Sequence, residues 1–236
     1  MIPATHAAAG AAVTNRFRSV ALALIVSFGL HYVLDALYHF EGFYELSVPG
    51  GWTYERTMFI LFTALIPLAA PIAAWLWWKN RQVGWFACYA FLLSMIAFEP
   101  LHSWRLVWAG LLSAGWWLGA RTPVLKRWVL CGLAAYLPDC LKDAFPALGQ
   151  LHDVTHHRPG LDLGDWVSLL GRGRWRIPLN SRASDPYYQI GYAIAILLEA
   201  AILFGSLYFL ARRSVADLAA VNHQRGAVDK GSFVGK

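Results

Sequence analysis

The chain has 236 residues, of which 58% are apolar and only 14% charged, with a net charge of +6 and a mean hydropathy of +0.44. An ordinary soluble domain of this length carries roughly a quarter charged residues, so the balance points to a polytopic membrane protein, and the twelve Trp and ten Tyr suit the two bilayer interfaces. The basic residues are dispersed in short clusters between apolar runs, which argues against a nucleic-acid partner and fits loop charges that set membrane orientation.

A membrane-spanning helix needs about 20 mainly apolar residues. Six stretches are expected to qualify, near 18–40, 57–78, 83–99, 104–120, 124–145 and 187–211. The fold class predicted is therefore all-α, a transmembrane helical bundle of about six spans. The first stretch follows Arg16 and Arg18 like a signal peptide, but its apolar run is longer than a signal core and contains His31 and Asp35, so it reads as an uncleaved span. His6 lies ahead of it, in what reads as a cytoplasmic tail without a role. Within this span His31, Asp35 and His39 are four residues apart, a spacing that puts all three on one helical stripe.

The third and fourth spans are divided by Glu99-Pro100 and His102, because Pro100 stops a helix. Glu99 and His102 read as interface residues. The fifth span ends in Asp139 and Asp143, which repel at one-turn spacing unless a cation intervenes; Lys142 stands where it can neutralise one of them. His152, His156 and His157 follow at the start of the 146–186 connection, read as an extramembrane cap with a short helix near 161–171. Glu199 lies in the sixth span. Residues 1–213 thus form one helical membrane domain, and 214–236 a polar tail. Cys88, Cys131 and Cys140 lack CxxC spacing and give no disulfide framework; Cys140, beside Asp139, reads as a buried packing residue.

Lys and Arg near the span ends place both termini in the cytoplasm, as expected of a bacterial inner-membrane protein. Arg158, Arg172, Arg174, Arg176 and Arg182 then fall on the outer side, against the general trend. In this topology His39 sits at the outer mouth, Asp35 about one turn deeper and His31 deeper still. Asp143 and Asp139 descend in the same way from the outer end of the fifth span, and Glu199 lies at a depth comparable with His31.

Ionisable groups inside membrane segments are functional candidates by default. A lone His31 would ordinarily be a hydrogen-bonded packing residue, but imidazoles and carboxylates gathered in one layer are zinc-type ligands. His31, Asp35, His39, Asp139, His152 and His156 are the expected metal ligands, for one or two divalent ions, zinc first and manganese as a substitute.

At these residues the sequence resembles the integral-membrane, metal-dependent hydrolases typified by the LexA-regulated inner-membrane proteins, a family thought to be distantly related to the zinc-dependent phospholipases C. Leu137-Pro138-Asp139 is similar to the family's Pro-Asp element, Thr155-His156 to its Thr-His element, and His31-x-x-x-Asp35 to its His-x-x-x-Asp segment. The family often continues Pro-Asp-x-Asp-His, where this chain has Cys140, Leu141 and Lys142, and the His-x-x-x-Asp segment comes early here. The resemblance covers about a quarter of the chain. It implies that His31, Asp35, Asp139, His152 and His156 hold metal.

The expected activity is hydrolysis of a phosphoester in a lipid or lipid-linked substrate by metal-activated water. Asp143 or Glu199 would serve as general base or anchor an imidazole, and Arg158, Arg172, Arg174 and Arg176 would bind an anionic headgroup. Two rival classes remain open on sequence. One is an ion- or proton-coupled transporter using the same polar layer; the other is a non-catalytic membrane protein with a structural metal site.

Overall fold

Among the described residues every regular element is a helix. The structure is a computed structural model that describes residues 3–14, 16–37, 72, 75–76, 80–96, 104–145, 147–148, 190, 194 and 197–212. Its helices are α1 (Pro3–Thr14), α2 (Val20–Leu37), α3 (Arg81–Ile96), α4 (Arg105–Gly119) and α5 (Pro123–Ala144), followed by α6 over 197–212. The all-α expectation holds: α2 and α4, and most of α3, α5 and α6, fall inside the stretches expected at 18–40, 104–120, 83–99, 124–145 and 187–211. The stretch near 57–78 is represented by residues 72, 75 and 76, all helical. Among the described residues no helix is long and apolar enough to cross a membrane. The cap, 146–186, falls outside the described residues except for 147 and 148; the tail, 214–236, falls wholly outside them.

The reading of the first residues as a tail is corrected. They form α1, a core helix in which Ala7, Ala8 and Ala11 are fully buried. Pro3 opens it with a preset φ and no N–H to leave unbonded, and alanine is the strongest helix former. The Ala4 N–H, which has no acceptor within its own helix, donates instead to Ser94 Oγ of α3 at 2.8 Å.

Other helix starts follow from local chemistry. Asn80 Oδ1 accepts from the backbone N–H groups of Gln82 and Val83, at 3.2 and 3.3 Å, and caps α3. The Asn80 amide also donates to the Ala211 carbonyl at 3.2 Å and so ties α6 to α3. Thr122 caps α5 by accepting from the Leu125 N–H at 3.2 Å, with Pro123 next in line.

α5 is the central element, with α1, α2 and α4 packed along it. Phe86, Tyr89, Leu93, Trp128 and Val129 are buried at the heart of the core. The Tyr89 hydroxyl donates to the Val129 carbonyl at 3.2 Å, so its contact with Ser113 Oγ at 2.8 Å is donated by the serine. This chain links α3, α4 and α5. Tyr89→Phe is expected to cost about 1–3 kcal/mol, the usual loss when a buried partner is stranded. Thermal melting of the purified variant reads the loss; an unchanged midpoint would show that the link contributes no stability.

The outward faces have an unusual composition. The exposed residues of α2 between Val20 and Val33 are all apolar or glycine, including Leu22, Ile25, Gly29 and Val33. On α4 the outward face carries Val107, Trp108, Leu111 and Leu118, and on α6 it carries Leu197, Leu198, Ala201, Gly205 and Tyr208. Ile25, Leu118 and Leu197 are 68%, 73% and 69% exposed. A helix bordering water presents charged and polar residues on that face.

Candidate metal centre

Three helices each contribute one side chain to a polar cluster in the core. α1 brings His6, α2 brings His31 and α5 brings Asp139, with both imidazoles fully buried. Small residues make the approach possible. A Cβ on Gly10 would meet Ala135 Cβ and the Cys131 carbonyl oxygen, each at 2.7 Å. One on Gly132 would meet Tyr89 at 3.2 Å and Ala7 Cβ at 3.3 Å. α1 and α5 therefore touch almost backbone to backbone, as small residues allow. The Ser27 hydroxyl, one turn before His31 on the same face, donates to the Gly10 carbonyl at 3.2 Å and fixes α2 against α1.

The orientation of His31 follows from its partners. Its Nδ1 lies 3.1 Å from the Ala135 carbonyl oxygen. A carbonyl only accepts, so this bond places a proton on Nδ1, and in the neutral imidazole it is Nε2 that carries the lone pair. Pro138, inside α5, lacks the N–H that would bond to the Ala134 carbonyl, next to the carbonyl of Ala135 that His31 uses. His31 Nε2 then lies 3.9 Å from Asp139 Oδ1. The His6 ring stacks on His31 with centroids 4.4 Å apart and planes inclined by 30°. One ligand atom from each of the three residues falls within 4.8 Å of the others.

That set can hold a metal ion. Zinc–ligand bonds of about 2.0–2.1 Å in a tetrahedron put neighbouring ligand atoms ~3.4 Å apart, so separations of up to 4.8 Å would shorten by at most about 1.4 Å. Two imidazole nitrogens and one carboxylate oxygen supply three donors of the kinds that bind divalent transition metals. Lys142 Nζ meets Asp139 Oδ1 at 2.9 Å, the neutralising contact expected from sequence. The Asp139 side chain is 19% exposed while His31 is sealed, so the cluster opens on the Asp139 side.

Among the expected site residues, the structure thus brings His31 and Asp139 together. Glu199 is buried, and its Oε1 accepts from Thr5 Oγ1 at 3.0 Å, a bond that holds α1 immediately beside His6. Cys140 packs in the core as expected. Asp35 lies on α2 and Asp143 on α5, with their side chains outside the described part. His39, His152, His156, Arg158, Arg172, Arg174 and Arg176 lie outside the described residues.

The residue that sequence reasoning passed over is His6. Its signal was the small-residue pattern that follows, Ala7, Gly10 and Ala11, which marks a helix built for close packing rather than a tail. Compared with protein-family models, with curated proteins and with solved structures, the chain has no match.

Proposed function

We propose that the chain is a membrane-embedded, metal-dependent hydrolase acting on a phosphoester of a lipid or lipid-linked substrate, with the metal held by His6, His31 and Asp139. The observation that carries this reading is the His31 imidazole, whose Nδ1–H is committed to the Ala135 carbonyl while Nε2 looks toward Asp139. Metal-bound histidines are held in this way, with the second nitrogen anchored to a carbonyl or carboxylate that fixes the tautomer. The resemblance of Leu137-Pro138-Asp139 to the Pro-Asp element of inner-membrane hydrolases supports the same assignment.

The bilayer setting rests on the outward faces of α2, α4 and α6, whose apolar stripes suit lipid chains as neighbours. With the basic span ends inside, both termini are cytoplasmic. A zinc or manganese ion held by His6, His31 and Asp139 would supply a water of lowered pKa and a Lewis acid for a phosphoryl oxygen. The chain's own groups do the rest. Asp139, at the open side, faces incoming substrate; Glu199 holds α1 in place through Thr5; Asp143 and the arginines at 158, 172, 174 and 176 are assigned to proton transfer and headgroup binding.

Asp139→Asn keeps the shape of the side chain and removes its charge. Hydrolysis of a bis(p-nitrophenyl) phosphate probe by the zinc-loaded protein is expected to fall at least about 100-fold in this variant, beyond the range typical of losing a supporting group around a metal. A variant that melts like the wild type and hydrolyses at the wild-type rate would sink the assignment.

A further inference from the structure

A second polar site lies at the other end of the bundle, where α3 begins and α4 passes into α5. A cavity of about 520 Å³ is lined there by Arg81, Gln82, Trp85, Arg121, Thr122 and Leu125. Leu125 precedes Asp139 by fourteen residues on α5, so at ~1.5 Å per residue the two sites are about 21 Å apart. They do not share a residue.

The lining has the chemistry of an anion site. Arg81 and Arg121 are exposed cations in the lining, and no carboxylate among the described residues forms a salt bridge with either. Arginine presents a planar fork of donors that matches two oxygens of a phosphate. The Thr122 oxygen already accepts from the Leu125 N–H, which leaves its hydroxyl proton to donate outward. Gln82 adds an amide. The first free N–H groups of α3 are taken by Asn80, so the available donors are side chains rather than a helix terminus.

The remaining walls are apolar and fixed. The Trp85 carbonyl accepts from Trp116 Nε1 at 3.2 Å, and the two indoles pack at 5.3 Å. Lys126 Nζ sits 4.4 Å over the Trp117 ring beside them. Tryptophans and cations gathered at one end of a helical bundle mark the headgroup level of a bilayer. We infer that the Arg81–Arg121 cavity binds a phosphate group, that of an anionic lipid headgroup or of a soluble phosphate ester, at a site separate from the metal centre.

Native mass spectrometry of the full chain in detergent tests this with dioleoyl phosphatidic acid and dioleoyl phosphatidylcholine as probes. Wild-type protein is expected to retain the phosphatidic acid in preference. Arg81→Gln combined with Arg121→Gln should lower its retention by about tenfold or more, while melting like the wild type because both side chains are exposed. Arg16→Gln with Arg18→Gln removes the same charge from outside the cavity and should leave retention within about twofold. Equal loss in both double variants, equal retention of the two lipids, or full retention after loss of both cavity arginines would each overturn the proposal. Glycerol 3-phosphate separates the sources: displacement of the lipid assigns the site to the phosphate alone, and failure to displace it assigns the site to a lipid held also by its chains.

Discussion

His6→Ala is expected to lose bound zinc down to background when purified beside the wild type, which should retain close to one ion per chain. The loss is large because on the proposed assignment His6 is one of three ligands, and removal even of a group that only supports a ligand weakens metal binding about 10–100-fold. Elemental analysis gives the content directly. A second readout is the zinc dependence of melting, since a ligand at 100 times its Kd stabilises the folded state by about 2.7 kcal/mol. Added zinc should raise the wild-type midpoint and leave that of His6→Ala where it was. If His6→Ala binds zinc normally while His31→Ala and Asp139→Ala do not, α1 lines the cluster without ligating, and the third ligand comes from elsewhere.

The second large effect concerns the close approach of α1 and α5. Gly10→Ala places a methyl group 2.7 Å from a backbone carbonyl that cannot move without moving α5. Overpacking of this kind costs about 1–3 kcal/mol and occasionally more. Gly29→Ala is the matched control: this glycine is also inside a helix, but nothing lies within 4 Å of the added carbon. Exchanging glycine for alanine in an open helical position stabilises by roughly 0.5–1 kcal/mol. The two substitutions are thus expected to move the melting midpoint in opposite directions. Equal shifts would mean that the α1–α5 contact is looser than described. Gly10→Ala should also weaken zinc binding, because α1 carries its ligand on the rigid body that the methyl displaces.

How much of this was legible in the chain differs from element to element. The long apolar runs marked α2 to α6 well, since a strongly hydrophobic stretch bounded by Arg, Pro or Gly has few other readings. The pairing of His31 with Asp139 was also within reach, because two ionisable groups in apolar settings gain by meeting, and Lys142, three residues after Asp139, was found where its spacing put it. α1 was not legible by the same rule. Its twelve residues are rich in alanine, too short and too mildly apolar to register as a span, and their burial comes from fit against Cys131, Gly132 and Ala135 rather than from hydropathy. His6 was lost with it. The stripe of His31, Asp35 and His39 drew attention toward the end of α2, whereas the buried side of that stripe runs back through Ser27 and Ala23 into the contact with α1.

The bond between Thr5 and Glu199 spans 194 positions of sequence, so it forms only after nearly the whole chain has been made. At a synthesis rate of about 5–20 residues per second, α1 leaves the ribosome some 10–40 s before the carboxylate that holds it. Its packing partners on α5 also emerge long after it. During that interval a short alanine-rich helix has few interactions of its own to keep it formed. The half-built chain carries His6 before His31 and Asp139 have been made, and the tie to Glu199 forms only after α6 has followed.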